Sequence, residues 1–198
     1  MNLPNQLTVA RLFMTLVFVA VLAFSFPWSS QVALGLFIVA SLTDWLDGLI
    51  ARRWGLITNF GKLMDPLVDK ILTCSALIML AAGANPLFPP WAVVVVLARE
   101  FLVTGLRLIA GSQGDVLVAD SLGKWKTVTQ IAAIIYFLAW LASSEEPLGA
   151  VFSATLFAPS WMQPAIAGKV LIAATLLTTV VSGCSYLWKN RRLLLSGV

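Results

Sequence analysis

The sequence predicts an all-α polytopic membrane protein with six transmembrane helices and both termini cytoplasmic. Three observations predict it. Of the 198 residues, 60% are hydrophobic and 11% charged, where a soluble domain carries roughly 25% charged residues. Six apolar stretches reach or approach the about 20 residues that a spanning helix needs. The cations gather in alternate connections between those stretches, as the positive-inside rule asks of cytoplasmic loops.

The first stretch, 7–26, follows Met1-Asn2-Leu3-Pro4-Asn5, with Arg11 as its early cation. It lacks the basic lead-in and small-residue cleavage site of a signal peptide and reads as a retained helix. Pro27-Trp28-Ser29 turns the chain into the second stretch, 32–51. The third, 66–82, follows a short connection holding Arg52, Arg53 and Lys62. Turn formers at 83–90 lead to the fourth, 91–110, and those at 111–123 to the fifth, 128–142. A longer connection, 143–168, precedes the sixth, 170–188.

Arg107, Lys124 and Lys126 flank the fourth connection, and Lys189, Arg191 and Arg192 follow the last helix. The other connections hold Lys169 as a cation, with Glu145 and Glu146. Both termini and the connections after the second and fourth helices are therefore expected in the cytoplasm. Trp28, Trp91, Trp161 and Trp188 fall near helix ends, as interfacial anchors do. With no internal repeat or soluble segment, 1–198 is expected to be a single membrane domain. The formal charge of +4 reflects topology and contact with anionic membrane lipids, so no nucleic-acid partner is expected.

Cys74 and Cys184 lie far apart in apolar segments, which supports neither a disulfide nor a zinc site and reads as two small buried residues. The chain has no histidine. Acid–base chemistry must fall to carboxylates, lysine or tyrosine.

Carboxylates inside spanning segments are costly and mark function by default. Asp44 and Asp47 stand near the cytoplasmic end of the second helix, and Asp65 and Asp69 near that of the third. At about 100° per residue, Asp44 and Asp47 are about 60° apart, with Gly48, Ala51 and Arg52 on the same side. Gly61, Asp65 and Asp69 recur every four residues and form one stripe if the helix begins before Gly61. Alternatively Pro66 is the first helical residue, with Asp65 as its cap. Two helices joined by a short connection are expected to pack antiparallel, which gathers the four carboxylates. Four such charges need a counter-ion, and an all-oxygen donor set suits a hard cation, Mg²⁺ or Mn²⁺, with Ca²⁺ also compatible. Four carboxylates are enough for two ions. Gly48 and Ala51 clear space beside them, and Arg52 offers a guanidinium fork for phosphate. Gly48 and Gly61 also fit plain helix packing.

The pattern Asp44-x-x-Asp47-Gly48-x-x-Ala51-Arg52, a gap of eight, then Gly61-x-x-x-Asp65-x-x-x-Asp69 resembles the signature of the CDP-alcohol phosphotransferase family at all eight fixed positions. That resemblance implies a six-helix homodimer whose site faces the cytoplasm. It implies two divalent ions, Mg²⁺ or Mn²⁺, on Asp44, Asp47, Asp65 and Asp69. It implies a cytidine-diphosphate pocket at Gly48, Ala51, Arg52 and Gly61, and Asp69 as general base.

The opening Asn2-Leu3-Pro4-Asn5-Gln6-Leu7-Thr8 with Arg11 resembles bacterial members of that family that use glycerol 3-phosphate as acceptor. So do Ala98-Arg99-Glu100-Phe101 through Leu106-Arg107, and Gly123-Lys124-Trp125-Lys126-Thr127. The likeness weakens from about Ser143 onward. The implied partners are CDP-diacylglycerol and glycerol 3-phosphate, in a bacterial inner membrane. The implied reaction moves the phosphatidyl group to glycerol 3-phosphate and releases CMP. Arg99, Arg107, Lys124 and Lys126 are the candidates for the acceptor phosphate. Arg107, Lys124 and Lys126 also serve topology, and Arg99, near the middle of the fourth helix, must pair with Glu100 or an aspartate, or reach a polar cavity. Asp115, Asp120, Glu145 and Glu146, like Glu100, read as pairing or loop charges. Two alternatives stay open. The same chemistry could serve inositol phosphate, serine or phosphatidylglycerol. A divalent cation transporter would instead spread its carboxylates across the bilayer depth.

Overall fold

The computed structural model describes residues 3–54, 59–82, 85–112 and 121–191. The fold is all-helical. Its helices are α1 (Leu3–Phe24), α2 (Ser29–Trp54), α3 (Asn59–Ala81), α4 (Pro90–Ser112), α5 (Ser121–Ala142), α6 (Gly149–Thr155) and α7 (Lys169–Lys189). A 3₁₀ turn, Ser160–Met162, and a π-helical turn, Pro164–Gly168, lead into α7. Each predicted apolar stretch falls in a long helix of 21 to 26 residues, about 31 to 39 Å at 1.5 Å per residue, except that 7–26 runs two residues past α1 and 66–82 one past α3. Two helical runs among the described residues, Leu122–Ala142 and Pro164–Lys189, are long and apolar enough to cross a membrane.

The helices exceed the apolar runs because polar residues continue them. α5 begins at Ser121, seven positions before 128, so Gly123, Lys124 and Lys126 are helical rather than part of a loop. α4 opens on Pro90, whose fixed φ and missing N–H suit the first helical position. Between α1 and α2 the chain reverses in four residues, with Ser25 (φ 43°) and Trp28 (φ 74°) in the left-handed region.

α1 packs against α2 and α3, α5 against α2 and α7, and α4 against α3 and α7. The core runs through Phe18, Phe37, Leu77, Val96, Ile134 and Phe137. Phe18 and Phe37 meet with ring centroids 6.0 Å apart, and Phe88 and Phe137 at 6.1 Å. The outward surface is also apolar. Phe13, Phe24, Val94, Phe101 and Leu177 are exposed, as are Trp28, Trp91, Trp161 and Trp188.

The connection 143–168 differs from expectation. It holds α6 and both short turns, and it folds onto α5. Phe157 is buried against Tyr136 and Trp140, with centroids 5.7 and 5.0 Å away. The Tyr136 hydroxyl donates to the Met162 carbonyl at 2.6 Å. Glu145 is more than a loop charge. Its carboxylate accepts from the backbone N–H groups of Ser30 and Gln31 and from the Ser30 hydroxyl at 2.7 Å, capping α2 from the end of α5. Cys74 is buried as expected, whereas Cys184 is exposed, on the outward side of α7 with Val180 and Val181.

Candidate active site

The aspartate pattern lies on two unbroken helices. α2 carries Asp44, Asp47, Gly48, Ala51 and Arg52 before it ends at Trp54. α3 starts at Asn59, before Gly61, and passes through Pro66. Asp65 is therefore inside the helix and not its cap, and Gly61, Asp65 and Asp69 follow one another about 40° apart along one face. The side chains of Asp44, Asp47, Gly48, Ala51, Arg52, Gly61, Asp65 and Asp69 lie outside the described residues. Over the described parts, α1 is a shared neighbour of α2 and α3. The donor set that the pattern offers is all carboxylate, with Asp65 and Asp69 four residues apart on a continuous α3, and all-oxygen donors suit a hard divalent cation.

Directly after Asp69 the described side chains form a second charged centre. Lys70 donates through Nζ to the Thr104 hydroxyl, and its Nζ stands 3.8 Å from Glu100 Oε2. Glu100 Oε1 accepts from Lys126 Nζ and lies 3.4 Å from Arg99 Nη1. The Thr104 hydroxyl donates to the Glu100 carbonyl at 2.7 Å, holding that turn of α4. Glu100 is 5% exposed and Lys126 4%. Helices α3, α4 and α5 thus place three cations around one buried carboxylate.

α7 closes the remaining side. A Cβ on Gly183 would stand 3.1 Å from Arg99 Cγ, and one on Gly123 would stand 3.9 Å from Arg99 Nη2. The absence of side chains there lets Arg99 lie between α5 and α7. The Arg107 guanidinium sits 5.5 Å from the Tyr186 ring centroid, within cation–π range. Among the described residues, Arg99 Nε in this centre makes no hydrogen bond, nor do the buried Gln130 Nε2 and Oε1, Thr179 Oγ1 and Tyr186 hydroxyl on α5 and α7. Each such group left unpaired costs about 1–3 kcal/mol.

Of the four cations expected at the acceptor phosphate, Arg99 and Lys126 meet through Glu100, and Arg107, on α4, lies against Tyr186 of α7. Lys124 points elsewhere. With α5 helical from Ser121, Lys124 and Lys126 are about 160° apart around its axis, and Lys124 is exposed while Lys126 is buried. Glu100 does pair, as the sequence suggested, but with three cations. Lys70 was not among the candidates. Its signal was available: a lysine inside an apolar helix must find a partner.

A family model described as CDP-alcohol phosphatidyltransferase matches residues 1–181. A CDP-diacylglycerol–glycerol-3-phosphate 3-phosphatidyltransferase from Bacillus subtilis is 44% identical over 146 residues, covering 67% of this chain and 74% of the relative. A protein of the same name from Rickettsia felis is 37% identical over 187 residues, 93% of each chain. A cardiolipin synthase (CMP-forming) from Oryza sativa subsp. japonica is 32% identical over 151 residues, covering 70% of this chain but 46% of the relative.

Proposed function

This chain belongs to the CDP-alcohol phosphatidyltransferase family, and we propose that it moves the phosphatidyl group of CDP-diacylglycerol to glycerol 3-phosphate, giving phosphatidylglycerophosphate and CMP. The observation that carries the acceptor assignment is the relative named for that reaction and matched over 93% of each chain. The complete eight-position aspartate pattern supports the chemistry.

Residues 1–198 act as a single membrane domain. Its six long helices span the bacterial inner membrane, with both termini and the aspartate-bearing helix ends at the cytoplasmic surface. Six helices of at least 21 residues support that arrangement, as does the alternation of cationic connections. The working assembly is a homodimer.

Asp44, Asp47, Asp65 and Asp69 would hold two ions of Mg²⁺ or Mn²⁺, which when bound neutralise charge on the pyrophosphate and its leaving group. Gly48, Ala51 and Gly61 leave room for cytidine diphosphate, and Arg52 forks onto its phosphate. Arg99, Arg107 and Lys126 hold the acceptor phosphate, with Lys126 and Arg99 in the buried centre and Arg107 beside Tyr186; Lys124, on the other face of α5, is left to topology. Asp69 accepts the proton of the acceptor's 1-hydroxyl. The alkoxide oxygen then attacks the phosphorus that bears diacylglycerol. The new P–O bond forms as the bond to CMP breaks, and CMP carries the electron pair away.

The test is CMP release by purified protein in lipid, with glycerol 3-phosphate, inositol 1-phosphate, serine and phosphatidylglycerol offered in parallel. Release with glycerol 3-phosphate alone is expected. Release with phosphatidylglycerol instead would follow the relative named cardiolipin synthase and overturn the acceptor assignment. Cation transport without CMP release would overturn the enzymatic reading.

A further inference from the structure

The buried centre holds an anion where a phosphate-binding site has no evident use for one. Lys70, Arg99 and Lys126 converge on the same carboxylate, that of Glu100. Glu100 is 5% exposed, and a carboxylate at that depth is costly unless paired. Three mutually repelling cations on three helices are equally costly without a counter-ion. One carboxylate leaves the centre with a formal charge of two positives. A phosphate monoester carries about −1.5 to −2 near neutral pH, so the centre and such a ligand are close to balanced.

We infer that Glu100 is a positioning residue for the acceptor: it gathers Lys70, Arg99 and Lys126 from α3, α4 and α5 into one phosphate-binding geometry and sets its charge to match a phosphate monoester. This inference rests on the acceptor reading above. Glu100 touches neither substrate nor reacting atoms in this role; it acts through the cations it holds. Lys70 gives the arrangement a mechanical link to the reaction, because it directly follows Asp69 on α3. The Thr104 hydroxyl fixes the same turn, bonded to Lys70 Nζ and to the Glu100 carbonyl. Glu100 therefore ties the acceptor's cations to the helix that carries the proposed base.

The experiment compares full-length wild type, Glu100→Gln, Glu100→Asp and Arg107→Ala in lipid, measuring CMP release against each substrate in turn, with thermal melts as a check on folding. Glu100→Gln removes the charge with little change of volume. The KM for glycerol 3-phosphate is expected to rise about tenfold or more, while that for CDP-diacylglycerol stays within about twofold. Glu100→Asp should recover part of the loss. Inhibition by inorganic phosphate should weaken alongside. An unchanged glycerol 3-phosphate KM in folded Glu100→Gln protein overturns the inference, and so does a parallel rise for both substrates. Should Glu100→Gln not fold, Glu100→Asp decides by the same split. If Arg107→Ala raises the acceptor KM and the Glu100 variants do not, only this inference fails. If wild type releases no CMP with glycerol 3-phosphate, the acceptor reading itself fails.

Discussion

Asp69 and Lys70 are neighbours on α3, about 100° apart around its axis, so one stretch of helix serves two kinds of chemistry. Asp69 ends the aspartate stripe, and Lys70 enters the cationic centre around Glu100. In our proposal the first activates the acceptor hydroxyl and the second helps to hold the other end of the same molecule. Asp69→Asn keeps the size of the side chain and removes its basicity. It is expected to lower kcat by about 10²- to 10⁴-fold, with CDP-diacylglycerol still bound in a direct binding measurement. Full turnover in that variant would contradict Asp69 as the base. Arg107→Ala is expected to raise the KM for glycerol 3-phosphate about tenfold, the loss of a charge-assisted hydrogen bond. Steady-state CMP release reads this directly, and an unchanged constant would move the acceptor pocket away from α4.

α2 and α5 are joined at one end by a polar clasp rather than by apolar packing alone. Glu145 follows α5 and accepts from the first N–H groups of α2, while Gln31 Nε2 donates back to the Glu145 carbonyl at 2.6 Å. Glu145→Ala should cost about 1–2 kcal/mol, as lost N-caps do, read as a lower melting temperature with little change in either KM. Four residues later the chain passes close to its own backbone. A Cβ on Gly149 would lie 2.7 Å from the Ser143 carbonyl oxygen, which cannot swing aside as a side chain could. Gly149→Ala is expected to destabilise by about 1–3 kcal/mol. A melt as high as wild type would show that the α5–α6 turn has slack.

The long helices were legible in the sequence because each needs only an uninterrupted apolar run. α6 was not, since seven residues of Gly149–Thr155 are too few to show a period. The start of α5 was missed because Gly123, Lys124 and Lys126 look like loop residues, although Lys126 is helical and buried on Glu100. The aspartate stripe was legible from spacing alone. The ambiguity at Pro66 was settled only by the continuity of α3. Glu100 was read as a pairing charge, but a sequence cannot count how many partners two other helices will add to the neighbouring Arg99.

The molecule as a whole has apolar side chains both in its core and over its outer surface, with its charges drawn toward helix ends and one buried centre. That distribution fits a lipid solvent and six spans. The topology can be checked with single cysteines placed in a background lacking Cys74 and Cys184. A cysteine at Ser144 is expected to react with a membrane-impermeant maleimide added outside intact cells, and one at Asn190 is not. The reverse pattern would invert the proposed orientation. Chelation of divalent ions should abolish turnover and leave the fold intact, with Mg²⁺ or Mn²⁺ restoring it. Turnover that survives chelation would remove the ions from the four aspartates.

The central claim is a metal-dependent transfer from CDP-diacylglycerol to glycerol 3-phosphate. It is tested most directly by CMP release from the purified protein in lipid, with Mg²⁺ or Mn²⁺ and each acceptor alone. CMP formed with glycerol 3-phosphate, together with a phosphatidylglycerophosphate product of equal amount, is the predicted result. Folded protein that releases no CMP with glycerol 3-phosphate, while another acceptor supports release or none does, would contradict it.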